Sequence, residues 1–171
     1  MKKNILYVIV IFMIVLIIYQ FPRRFNKEIQ AYEIIHHMDN KESEITIKIE
    51  GWYSKGLLRS DKFMGKIYIE GHEMLIQEYI KVSDDFSQNT LLAYHNDQGS
   101  LMSFAFMYNN EDFDEILIYK FDHREDGSMS IDENSGSILV GPAKSKAAAL
   151  DLIEKNNRKT HFKNISLLVD E

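Results

Sequence analysis

Residues 44–50 read EITIKIE and residues 63–70 read FMGKIYIE. In the first, Ile45, Ile47 and Ile49 alternate with Thr46, Lys48 and Glu50; in the second, Phe63, Gly65, Ile67 and Ile69 share one face. Side chains of a strand point alternately to its two sides, so a strict two-residue period marks a strand with one face in a core and the other in water. Five further stretches of strand character follow at short intervals: 73–82, 90–95, 101–108, 115–121 and 136–140. The connections Glu70-Gly71-His72 and Asn96-Asp97-Gln98-Gly99 are rich in Gly and Asn, which tolerate the positive φ of a tight hairpin. Residues 109–114 and 123–134 read as longer loops. Short strands punctuated this way predict an antiparallel meander of about six to eight strands.

Outward from that pair, LMSFAFMY (101–108) and EILIYKF (115–121) are apolar on both faces, which places them mid-sheet beneath a cover. The cover is a C-terminal helix. Gly141-Pro142 opens it, Pro being tolerated at the first helical position, and AKSKAAALDLIEKNNR (143–158) offers Ala148, Leu152 and Ile153 or Ala149 as its packing stripe. HFKNISLLV (161–169) reads as a last strand. Before the first strand, KEIQAYEIIHHM (27–38) puts Ile29, Tyr32 and Ile35 or His36 at helical spacing, predicting a short amphipathic helix over 26–38. The expected body, 26–171, is one α+β domain: a meander with a helix packed on it, or an open barrel of the same strands.

Residues 1–25 are of another kind. From Ile5 to Tyr19 the chain is apolar, without Gly or charge. As a helix this run rises about 22 Å, and Asn4–Phe21 about 27 Å, against a hydrocarbon core of about 30 Å. Lys2, Lys3, Arg23 and Arg24 flank it and are long enough to snorkel to headgroups; Tyr7, Tyr19 and Phe21 lie near the boundaries. Its Leu, Ile, Val and Phe residues favour insertion by at most about 4–7 kcal/mol. A cleaved signal peptide needs small residues past the apolar run, whereas Tyr19-Gln20-Phe21-Pro22-Arg23-Arg24 stands there and the first alanine is Ala31. With no cysteine, a lipidated anchor is excluded. The expectation is an uncleaved signal anchor, a single-pass transmembrane helix contacting the bilayer through residues 4–21. Lys2 and Lys3 roughly balance Arg23, Arg24 and Lys27, so the charge rule does not orient it. The short basic tail preceding the apolar run favours a body outside the cytoplasm.

The chain has 171 residues and a formal charge of −6. Four of its 20 basic residues and none of its 26 acids fall in 1–26, leaving the body 16 basic against 26 acidic residues. Nucleic-acid binding depends on clustered Lys and Arg displacing counterions from phosphates, and such a body repels phosphate. Catalytic and metal motifs are incomplete. His72-Glu73-Met74-Leu75-Ile76 begins like a zinc-protease helix but has Ile where the second His belongs. Asp132-Glu133-Asn134-Ser135-Gly136 opens like a calcium loop whose closing Glu would fall at Ala143. A looser calcium site could draw on Asp126, Asp132 or the acids of 111–115. His36 and His37 are adjacent and diverge on a helix; there is no serine elbow, thiol or phosphate loop. Asp61, Asp84, Asp85, Asp112 and Asp114 are candidates for a carboxylate pair. No catalytic, cofactor or metal residue is therefore assigned.

Trp52 falls on the outward face of the first strand, followed by Tyr53 and by Leu57 and Leu58 in the next loop. Together these four form either a partner-binding patch or a satellite core under the loop. The anchor, the strand ending Gly51-Trp52-Tyr53, and the stretch SDKFMGKIYI (60–69) resemble small membrane-anchored proteins of Gram-positive bacteria with β-rich bodies, over residues 1–71. That resemblance implies a cell-membrane location and brings no functional residues with it. The expected function is a non-catalytic binding or accessory module at the cell surface, with a protein partner and no cofactor. The alternatives are a surface hydrolase using acidic residues and calcium, and an immunity or inhibitor protein facing a basic partner.

Overall fold

The computed structural model describes residues 2–35, 43–56, 60–70, 72–74, 79–82, 89–96, 98–123, 129–130 and 137–157. Helix α1 (Lys2–Gln20) leads into β1 (Arg23–Ile35), β2 (Ser43–Ser54), β3 (Asp61–Ile69), β4 (His72–Met74), β5 (Ile80–Val82), β6 (Asn89–His95), β7 (Leu101–Asn109) and β8 (Ile116–Lys120). A small hairpin, β9 (Asp122–His123) with β10 (Met129–Ser130), precedes β11 (Ser137–Gly141) and helix α2 (Lys146–Asn157).

The main sheet runs β4-β3-β2-β1-β11-β8-β7-β6, every ladder antiparallel, with β5 also pairing to β3. Read from β1 through its neighbours, this is the expected meander rolled up: β11 returns to pair with β1, Tyr32 opposite Val140 and Ile35 opposite Ser137. At the remaining seam β4 lies beside β6, the rings of His72 and Tyr94 4.7 Å apart. The sheet is therefore a nearly closed barrel, and the open-barrel alternative describes it better than a flat meander does. Gly51 and Gly65 face each other across β2 and β3. A Cβ on Gly51 would stand 2.3 Å from the Met64 carbonyl oxygen, and one on Gly65 2.2 Å from that of Glu50. Here the two backbones approach too closely for any side chain.

The two faces of the barrel wall have separate cores. Inside lie Ile29, Ala31, Ile47, Ile49, Phe63, Ile67, Ile69, Met107, Ile116, Ile118 and Leu139. Outside, Tyr32, Ile34, Tyr108, Leu117, Tyr119 and Val140 are covered by Ala149 and Ile153 of α2. This is why β7 and β8 are apolar on both faces.

Three expectations change. Residues 23–35 form strand β1 and not a helix: Ile29 and Ala31 enter the inner core while Tyr32 and Ile34 enter the outer one. Two superposed two-residue periods put apolar groups at helix-like intervals. The C-terminal helix starts at Lys146, past Pro142, and Ser145 caps it by accepting the Ala148 N–H on its Oγ at 3.3 Å. Its buried stripe is Ala149, Ile153 and Asn156, with Ala148 exposed. Residues 73–82 are divided between β4 and β5. The expected strand at 161–169 lies outside the described residues.

Helix α1 exposes its apolar side chains on every face, from Ile5 at 57 % to Ile18 at 60 %. Among the described residues no helix is long and apolar enough to cross a membrane.

Candidate functional site

The inward positions of an antiparallel barrel are apolar through its middle and turn polar at the end remote from α1. On β1 the inward series Ile29, Ala31 continues to Glu33; on β8 the series Ile116, Ile118 continues to Lys120. Lys120 Nζ lies 3.0 Å from Glu33 Oε1 and 2.9 Å from Glu70 Oε1. Ser43 on β2 donates its hydroxyl to Glu33 Oε2 at 2.7 Å. Glu70 reaches the cluster from the turn after β3, where its backbone takes φ 54°. The ammonium group also stands 5.5 Å from the centre of the Phe104 ring, which meets Tyr94 edge to face at 6.0 Å.

Glu33 is buried, and burial is the largest single influence on it, raising its pKa. Hydrogen bonds from Ser43 and Lys120, the Lys120 charge and Ser137 outweigh this and hold the pKa below its ordinary 4.5. Burial likewise presses the Lys120 pKa down, but its bonds to Glu70 and Glu33 prevail and hold it above 10.5. One ammonium between two carboxylates thus ties β1, β8 and the β3–β4 turn across the barrel mouth. Glu70, a third exposed, is the member most open to solvent.

The opposite mouth, where α1 enters, is closed by rings. The connection from β7 to β8 turns through Asp112 and Phe113, both at positive φ, and drives Phe113 into the barrel. Phe113 packs on Phe25 and Phe63, with ring centres 5.6 and 5.0 Å apart. Lys27 ties this connection to β1 by pairing with the Asp114 carboxylate and donating to the Asp112 carbonyl at 3.0 Å.

The residues singled out from the sequence are dispersed. Trp52 is 55 % exposed on the outer wall, opposite Arg24 on one side and Met64, 59 % exposed, on the other. Tyr53, one residue on, points inward and is a core residue. Its hydroxyl donates to Asp61 Oδ2 at 2.5 Å, and Asp61 Oδ1 accepts the Gly56 N–H at 2.8 Å. Asp61 therefore ties Tyr53 at the end of β2 to Gly56 just beyond it. Leu57 and Leu58 lie outside the described residues, as do His36, His37, Asp84, Asp85, Asp126 and Asp132. His72 and Glu73 stand on a strand, not a helix, and Glu73 pairs with Lys66 at 2.9 Å. Among the described residues no three His, Asp or Glu side chains are grouped to hold a metal. The sequence pattern places Glu33 on a helix and so does not reveal the Glu33–Lys120–Glu70 cluster. Its signal was a charge at an inward position of an otherwise apolar series.

Fold and clusters together define a nearly closed antiparallel barrel with an apolar interior, one ion-paired mouth and one aromatic-plugged mouth. No protein family, curated protein or solved structure matches the chain.

Proposed function

We propose that this protein is a single-pass membrane-anchored module whose barrel acts by binding, not by catalysis, at the outer face of the cell membrane. The observation that carries this reading is α1, apolar around its whole circumference, exposed along its length and separated from β1 by only Phe21 and Pro22. Such a surface in water is an aggregation hazard, and lipid is the solvent that suits it. The apolar run is short of the hydrocarbon core by about 8 Å. Snorkelling of the basic side chains Arg23 and Arg24 and local thinning of the bilayer make up the difference. The binding role is supported by the barrel interior, which is filled with side chains, and by the mouth carboxylates, which are engaged with Lys120 and Ser43.

Flotation of the full chain with phospholipid vesicles, in the absence of detergent, tests the anchor. The chain is expected at the top of the gradient with the lipid, resistant to high salt and alkaline carbonate. Recovery at the bottom as a dispersed protein overturns the reading. Protease added to intact cells tests the side: loss of the barrel is expected, and protection until lysis reverses the orientation.

A further inference from the structure

The anchor fixes where one part of the barrel wall must be. Gln20 ends α1 and Arg23 begins β1, so Arg24 is at most about 14 Å of extended chain from the helix end. The apolar run is shorter than the hydrocarbon core, so no slack remains to lift Arg23 and Arg24 above the headgroups, a layer of about 5–8 Å per leaflet. Arg24 is opposite Trp52, about 5 Å away on the neighbouring strand, and Trp52 is opposite Met64.

This row is chemically suited to an interface. Trp52 and Met64 are both more than half exposed, on a stretch of the outer wall whose neighbouring residues include the polar Asn26, Lys48 and Lys66. Tryptophan concentrates at headgroup depth, where its ring is half in hydrocarbon and its N–H is wet. Arg24 and Lys66 flank the row along an open groove of about 470 Å³, which Glu50 also lines. The Glu50 charge is offset by Lys48, 2.7 Å away, and Lys66 is shared with Glu73.

We infer that the Trp52–Met64 face of β2 and β3, with Arg24, lies in the headgroup layer of the bilayer that holds α1, as a second membrane contact. This rests on the anchor reading, and one experiment separates the two. Trp52 is the only tryptophan, so its fluorescence reports this face alone. The full chain is floated with phosphatidylcholine vesicles, with and without phosphatidylglycerol, and the floated fraction is exposed to iodide in the water or to lipids brominated near the headgroup.

The expected result is several-fold weaker iodide quenching than in the urea-unfolded chain, together with strong quenching by shallow bromines. Met64→Asp should restore iodide access without affecting flotation; circular dichroism checks its folding. A floated chain whose Trp52 is open to iodide and untouched by bromolipid overturns this inference and leaves the anchor standing. A chain that does not float overturns both. Protection only with phosphatidylglycerol keeps the contact and assigns it to Arg24 and Lys66; protection in both lipids assigns it to Trp52 and Met64.

Discussion

Gly51 and Gly65 show how little room one residue leaves in this wall. Alanine at either position would push its methyl against a backbone carbonyl oxygen, which has no rotamer to escape through. Gly51→Ala or Gly65→Ala should cost about 1–3 kcal/mol or more, read as a lowered urea midpoint. The Glu33–Lys120 pair is another such residue-scale constraint. Lys120→Met leaves Glu33 buried beside apolar walls and should cost about 1–3 kcal/mol, below the ~3–5 kcal/mol of a fully buried pair because Lys120 keeps some access to water. The pH dependence follows from the two displaced pKa values. In acid the folded chain binds fewer protons at Glu33 than the unfolded chain does. The stabilisation is therefore present above 4.5 and lost as pH falls through the lower folded value. For Lys120 it is present below 10.5 and lost as pH rises through the higher folded value. Urea midpoints of the parent and of Glu33→Gln across the acid range check this: the parent should lose stability more steeply. Neither partner announces the other in the sequence, because 87 positions separate them and a local window sees only one charge in an apolar series.

Among the elements, strands with one buried face and strands apolar throughout, such as β7 and β8, were readable, whereas β1, which passes from one core to both along its length, was not. β2 and β3 alternate strictly because only their inner side meets a core, and their inward residues are the ones expected. β1 serves the inner core with Ile29 and Ala31 and the outer one with Tyr32 and Ile34, so its period is blurred into a helical one. The small hairpin of β9 and β10, which overlaps the loop expected at 123–134, has two-residue strands too short for any period to register. Helix α2 was legible by composition, though its start was set by Ser145 and not by Pro142. Its grip on the barrel rests on Ala149 and Ile153, which join the outer core where α2 packs against β1 and β11. Ile153→Ala should therefore cost about 2–5 kcal/mol in chemical denaturation, and Ser145→Ala about 1 kcal/mol. Glu154→Ala, on the exposed side of the same helix, is the control and should be nearly neutral.

At the scale of the whole molecule, the decisive quantity for the proposed anchor is the length of α1 relative to the membrane. The run Ile5–Tyr19 rises about 22 Å, and on that proposal a core of about 30 Å would draw its charged flanks, and the barrel behind them, down onto the surface. The acidic body works against that approach on an anionic membrane, and the basic residues Arg23 and Arg24 beside the helix work for it. If the shortfall is what seats Trp52 in the headgroups, lengthening the helix must unseat it. Seven leucines inserted between Ile14 and Val15 add about 10.5 Å, and because seven residues make nearly two full turns the barrel keeps its facing about the helix axis. The lengthened run, about 33 Å, spans the core without strain. Flotation should be at least as efficient, while iodide quenching of Trp52 rises towards that of the unfolded chain. Placing the parent chain in vesicles of short-chain lipid removes the mismatch from the other side and should expose Trp52 in the same way. Protection of Trp52 that persists in both arms would mean that the face holds the membrane by its own affinity, and the length of α1 would then have no part in positioning the barrel.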